Sequence, residues 1–328
     1  MQLVVTGATG FISSRLIDHA LLKGHRVTAL ARDPEQMARR QSPLLTVEKW
    51  ASGDPLPAVG KADAILNLAA FIPTDFNDAN QAAKCFSVNT NGALQIAMDA
   101  LAQGVRRLIF FGSGQVYTPS LTPVSETSPT FPIHRGSYYL ASKLSAEICL
   151  SAFGAANALP VTLLRLGSVY GPAMHGAGMV LTFIRALGNG RSVILKDGGH
   201  YRVDLVHVDD VIALALAAVE QECAGVFNAG SGQACRSLEA ARIIAGALGA
   251  DPCLISVEGE RKDGTMIGFS AMDITKATEQ LGYRPRSFRE GIEAWKVETG
   301  FADCFEIGQH VDMLGLSPRL ARGLGDAK

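Results

Sequence analysis

The chain has 328 residues, long for one ordinary domain and suited to an α/β core carrying a smaller second unit. It is 48% hydrophobic and 19% charged, which excludes a disordered chain. Thirty basic residues stand against thirty-one acidic ones, with no run of Lys or Arg and no apolar stretch near the ~20 residues of a membrane span. No nucleic-acid partner and no membrane role is therefore expected.

Gln2-Leu3-Val4-Val5-Thr6 reads as a strand with no basic segment before it, so no leader is expected. Strands follow at Leu3–Thr6, Arg26–Ala31, Ala64–Leu68, Arg107–Phe111 and Val161–Leu166. Between them Ser14–Lys23, Asn91–Gln103 and Tyr139–Phe153 carry helical periodicity. Short apolar strands alternating with helices imply an α/β fold, a doubly wound parallel sheet. After Tyr170-Gly171-Pro172 the alternation breaks, with a helix at Val211–Glu222, a strand at Val226–Asn228 and a helix at Ser237–Leu248. Residues 1–170 are thus read as one domain and 171–300 as a smaller second one, some of whose segments return to the first sheet. Residues 301–328 form a tail without an assigned role. The six cysteines lie apart with no C-x-x-C pair, which suits reduced thiols in the cytoplasm and no zinc site.

Thr6-Gly7-Ala8-Thr9-Gly10-Phe11-Ile12-Ser13 follows a strand and opens a helix. Small residues there let the backbone approach a pyrophosphate, and the helix N–H groups face its charge. Gly7, Thr9, Gly10, Phe11 and Ile12 are the expected dinucleotide contacts, with Ser13 standing where a third glycine is usual. The second strand ends Ala29-Leu30-Ala31-Arg32-Asp33, without the acid that normally binds the ribose of NAD at the strand end. Arg32 suits the 2′-phosphate of NADP, which is the cofactor expected first, with NAD as the alternative and Asp33 on the ribose in that case.

Tyr139 and Lys143 are four apart within a helix, where about 0.2 such pairs are expected by chance. A lysine ammonium on that face lowers the phenol's pKa and makes it a proton donor or acceptor. Around this pair the chain resembles the extended short-chain dehydrogenases/reductases, the NAD-dependent epimerase/dehydratase group, from residue 2 to about 295. Asn67-Leu68-Ala69-Ala70 resembles the end of that family's fourth strand, Val88-Asn89-Thr90-Asn91-Gly92 its N-x-x-G helix start, and Ser113-Gly114-Gln115-Val116-Tyr117 its catalytic serine segment. Ala146-Glu147 matches beyond the lysine. The resemblance implies a Rossmann cofactor domain and a C-terminal substrate-binding domain. It implies Ser113, Tyr139 and Lys143 as the catalytic set, and Leu68, Ala69, Ala70 and Asn89 at the cofactor together with Tyr139 and Lys143. It also implies a homodimer, for which Leu144 and Ile148 offer an apolar stripe.

The second half resembles the sugar-nucleotide branch. Arg165–Pro172 is similar to the segment after the sixth strand, with Ser168 where many members have Asn. Tyr201–Val211 resembles an R-x-F-x-H-V-D-D-V stretch whose arginine, here Arg202, binds a diphosphate; Arg261 is a second candidate. His207, Asp209 and Asp210 are read as a helix cap and domain junction, not metal ligands. Ser113, Gln115, Ser168, Arg202 and Arg261 form the expected substrate set. Gly114 and Gln115 stand where dehydratases and decarboxylases carry acids, and neither titrates. Expected first is NADPH-dependent reduction of a 4-keto sugar nucleotide, next an NAD-dependent C4 epimerase. Further off stand a reductase of a non-sugar ketone and a non-enzymatic NADP sensor.

Overall fold

The computed structural model describes residues 1–306 apart from 77, 131–136, 177, 197 and 260–267. In chain order the first half runs β1 (Gln2–Thr6), α1 (Phe11–Leu22), β2 (Arg26–Ala31), β3 (Leu45–Lys49), β4 (Ala64–Asn67), α2 (Ala79–Cys85), α3 (Gly92–Ala102), β5 (Leu108–Phe111), α4 (Tyr138–Asn157) and β6 (Val161–Leu166). The second half runs β7 (Ser168–Tyr170), α5 (Met179–Gly188), β8 (Val193–Leu195), β9 (Arg202–His207), α6 (Val208–Glu220), β10 (Gly225–Ala229), β11 (Ala234–Arg236), α7 (Ser237–Leu248), β12 (Ile255–Val257), α8 (Thr275–Leu281), α9 (Phe288–Thr299) and α10 (Asp303–Glu306).

Seven parallel strands form one sheet in the order β10-β6-β5-β4-β1-β2-β3. This is a Rossmann sheet whose strand order reverses between β1 and β4, opening a crevice at their carboxyl ends. Alternate side chains feed two cores. Leu3, Val5, Leu66 and Phe227 pack with α1 and α6 on one face, while Val4, Ile65, Phe110 and Leu163 pack with α3 and α4 on the other. The sequence did not suggest β3, a half-exposed edge strand too polar to read as core.

The second unit is a three-stranded sheet, β11-β9-β7, and a two-stranded one, β12-β8, packed with α5, α7 and α9 around Trp295, Tyr170 and Phe301. Residues of α6, β10 and α8 belong to the first core instead. Arg15 on α1 pairs with both Asp209 at the start of α6 (2.5 Å) and Glu298 on α9 (2.7 Å), fastening the first helix to the late one. His207 caps α6 by accepting from the Asp209 N–H at 3.3 Å, and Asp210 binds Arg286, so these three side chains serve the junction. Helix α6 therefore starts at Val208, a turn's fraction before the sequence reading placed it.

Candidate active site

At the mouth of the crevice Gly7 adopts φ +63°, and a Cβ there would lie 2.9 Å from the Ala69 Cα. Only glycine fits both constraints. The Ser13 hydroxyl donates to the Gly7 carbonyl (2.5 Å) and the Gly10 carbonyl (3.2 Å), so Ser13 ties the turn from inside as well as being small. No side chain caps α1 at Gly10, which leaves its first N–H groups facing the crevice beside Phe11 and Ile12. Thr9 is exposed at the rim. A loop that brings backbone this close and leaves a helix start uncapped fits the pyrophosphate of a dinucleotide.

Thr6 joins the two sides of the crevice: its hydroxyl donates to Asn67 (2.8 Å) and accepts from the Ala69 N–H (3.1 Å), fixing the Leu68-Ala69-Ala70 segment. Asn89 sits in a π-helical turn, Phe86–Asn91, between α2 and α3. Its amide nitrogen donates to the Phe71 carbonyl (3.0 Å) and the Ser142 hydroxyl (2.9 Å), and its oxygen accepts from the Phe71 N–H (2.7 Å). Both donors are thus occupied within the protein. Asn89 clamps the loop after β4 to α4, a role that spacing alone does not distinguish from a direct cofactor contact.

Arg32 is exposed beyond β2, and its side chain has no hydrogen bond or ion pair to the described residues. Asp33 is engaged locally, accepting from the Glu35 N–H (3.3 Å) and the Gln36 amide (3.0 Å).

Ser113 is buried at the end of β5, where its hydroxyl accepts from the Gln115 N–H at 3.3 Å. Tyr139 and Lys143 lie on the first turns of α4, which Ser137 caps. Tyr139 meets Phe76 edge-on, ring centroids 5.7 Å apart. Burial, with Cys85 nearby, pushes its phenol up to about 12. Lys143 donates to the Phe111 carbonyl at 2.8 Å and lies 4.7 Å from the Phe110 ring centre. Burial lowers it to about 8. This corrects the expectation that the ammonium lowers the phenol's pKa: it points at the Phe111 carbonyl, and desolvation governs Tyr139.

Gly114 lies under Met272, whose Cε would be 1.7 Å from a Cβ at that position, with the Leu166 carbonyl 3.0 Å away. Met272 is buried with Tyr117 and Val124, and its N–H binds the buried Asp204 (2.9 Å). Nothing in the sequence signals this contact, because the two residues are far apart in the chain. Gln115 is half-buried next to it, and Ser168 opens β7 nearby in the chain order of the second unit.

Along β9, Arg202 and Asp204 share one face while Val203 and Leu205 enter the second core. Arg202 is opposite Arg236 in the antiparallel β9–β11 pair, a neighbour the sequence reading did not include. The Arg202 Nε is buried without a partner, and neither guanidinium pairs with a described residue. Two cations at paired positions of neighbouring strands, neither paired among the described residues, suit an anionic group. Arg261 lies outside the described residues.

A glycine-rich turn that fits a pyrophosphate, at a topological switch point beside Ser113, Tyr139 and Lys143, of which the serine and lysine are buried, suits a nicotinamide-dinucleotide enzyme of the oxidoreductase type. The model of the NAD dependent epimerase/dehydratase family matches residues 3–230, and the chain belongs to that family. A UDP-glucose 4-epimerase of Mycolicibacterium smegmatis is 33% identical over 89% of this chain and 96% of its own. The UDP-glucose 4-epimerase of Thermotoga maritima, solved with UDP-glucose, superposes with a TM-score of 0.76 at 26% identity, covering 90% of this chain and 97% of that one. MoeE5 in complex with UDP-glucose and NAD gives 0.75 at 26% identity, over 91% and 98%. Among the described residues no helix is long and apolar enough to cross a membrane.

Proposed function

We propose that this chain is an NAD-dependent nucleotide-sugar C4 epimerase. The observation that carries the reading is Met272 filling the space that a side chain at Gly114, next to Ser113, would take. Elimination of water or carbon dioxide calls for an extra acid or base in this segment; here neither Gly114 nor Gln115 titrates, and Met272 leaves no room for a side chain at Gly114. Chemistry confined to C4 remains. Of the two reactions of that kind, the relatives named 4-epimerase, matched over nearly their whole length, favour epimerisation over the 4-keto reduction that the sequence put first. The neighbour holding NAD likewise favours NAD over NADP.

The residues divide the work plainly. Tyr139, as phenolate, takes the proton of the C4 oxygen as hydride leaves C4 and, as phenol, returns it when hydride comes back, and the Ser113 hydroxyl steadies that oxygen. Lys143 supplies positive charge beneath them. The loop Gly7–Ile12 and the segment Leu68–Ala70 hold the dinucleotide, with Arg32 and Asn89 at its edges. Arg202, with Arg236 beside it, pairs with the diphosphate, while Gln115 and Ser168 line the sugar. A bound nicotinamide supplies hydride exchange with the sugar carbon.

A second reading rests on Arg32, exposed beyond β2 with no partner among the described residues while Asp33 is engaged elsewhere. That arrangement favours a 2′-phosphate, hence an NADPH-dependent 4-keto sugar reductase. The exposed Ile148 on α4, with Met98 and Leu101 on α3, supports a homodimer, and six free cysteines support a cytoplasmic setting. The test is to incubate the purified protein with UDP-glucose or UDP-galactose and follow the C4 proton by NMR, after identifying any cofactor released on denaturation. Interconversion without added dinucleotide supports the epimerase. NADPH consumption with a 4-keto sugar nucleotide, and no interconversion, replaces it with the reductase.

A further inference from the structure

Glu147 is a buried carboxylate that neither proton transfer nor substrate binding uses. It lies one helical turn beyond Lys143 on α4 and is 3% exposed. Its Oε2 accepts from Arg165 Nε and Nη2, both at 2.9 Å. Its Oε1 is buried with no hydrogen-bond partner. A Cβ on Gly112 would lie 2.5 Å from that oxygen, so Oε1 rests against the backbone between Phe111, whose carbonyl takes the Lys143 proton, and Ser113. A pair with Arg165 alone has no need of a bare oxygen on this side, where desolvation penalises it.

We propose that Glu147 is a positioning residue whose field keeps Lys143 protonated, and that Arg165 braces it from the opposite side. Lys143 and Glu147 make no direct ion pair, and both are buried, so the influence acts through an interior where charges are weakly screened. Burial drives Lys143 down to about 8, and Glu147 is the influence holding it up. Burial also pushes Glu147 itself up, and Arg165 and Lys143 pull it back. The other groups facing this cluster are Tyr117, whose ring lies 4.7 Å from the Arg165 guanidinium, and Tyr139 on α4 with Cys85 beside it. Glu126 completes the set, its carbonyl accepting from Arg165 Nη1 at 3.1 Å. Among the described residues no carboxylate forms an ion pair with Lys143, and Glu147 is the buried carboxylate that shares its helix, one turn on. The inference rests on the Ser–Tyr–Lys reading above only for its activity arm.

The test is a direct titration of Lys143 by NMR of lysine side chains in the cofactor-free protein, with Lys143→Arg assigning the signal. In Glu147→Gln the midpoint is expected to fall so that the protonated fraction at slightly alkaline pH drops about tenfold. The alkaline limb of kcat/KM should move in the same direction, with Glu147→Asp restoring part of it. If Glu147→Gln does not fold, the pair Glu147→Gln/Arg165→Met removes both charges together, and a lowered Lys143 midpoint is again expected. An unchanged titration and pH profile in a folded variant overturns the proposal. A lowered midpoint in a protein that turns over no nucleotide sugar leaves it standing and removes the epimerase reading instead.

Discussion

Placing a methyl group at Gly114 is expected to destabilise the protein by about 2 kcal/mol. The new Cβ would lie 1.7 Å from Met272 Cε and 3.2 Å from its sulfur, where carbon contacts settle near ~3.5–4 Å. The thioether must swing away, yet Met272 is 3% exposed and boxed in by Tyr117 and Val124. The Leu166 carbonyl at 3.0 Å is backbone and cannot follow. For a chain of this size the cost corresponds to a drop in Tm of about 3 °C in thermal unfolding. Met272→Ala alone is expected to lose about 2–4 kcal/mol as a large-to-small core change. The double variant should lose less than the two single costs added, because the vacated thioether space accepts the new methyl, with a favourable coupling of about 1–2 kcal/mol. Denaturant unfolding of the four proteins measures this cycle. Strict additivity, or a Gly114→Ala variant as stable as the parent, would refute the claim that Met272 closes the position beside Ser113.

Gly7→Ala combines a left-handed backbone with a 2.9 Å approach to the Ala69 backbone that no rotamer relieves. A loss of about 2–4 kcal/mol is expected, together with loss of dinucleotide affinity by calorimetric titration. Tyr139→Phe should leave the unfolding midpoint nearly unchanged while lowering kcat by about 10²–10⁴, with binding of the nucleotide sugar retained. Burial holds the folded-state pKa of His207 at about 4, below its ordinary 6.5. The unfolded chain therefore binds the proton first, so stability is whole above pH 6.5 and falls as pH drops toward 4, by up to about 3 kcal/mol. His207→Asn keeps a capping side chain and should flatten that slope in urea titrations at successive pH values.

Local patterns carried most of what could be foreseen. Gly7, Gly10 and Ser13 announced the tight strand-to-helix turn because their spacing follows directly from a strand meeting a helix, and the Tyr139–Lys143 pair was visible because four residues make one helical turn. What escaped depends on long-range packing. Lys143 turns to the Phe111 carbonyl because of where β5 lies against α4, and the phenol of Tyr139 is shaped by Phe76 and Cys85 from other elements. The pairing of Arg202 with Arg236 is a matter of strand register, which no single-strand pattern contains. Asn89 was noticed for its motif, but its clamp on Phe71 and Ser142 required a π-helical turn that the sequence reads as ordinary helix.

The route of the chain through the large sheet bears on how a ribosome delivers it. Strand β6 ends at Leu166, but its neighbour β10 is not synthesised until Gly225, after most of the smaller unit has emerged. Until then the edge of β6 is an open row of peptide groups, and the helix α6 that covers this face is also missing. A nascent chain paused in that interval presents a sticky border to its neighbours on a polysome. Fragments cut near residue 170 should therefore precipitate where the longer chain stays dispersed, and a chaperone that shelters a strand edge should bind translation intermediates of this window above all others.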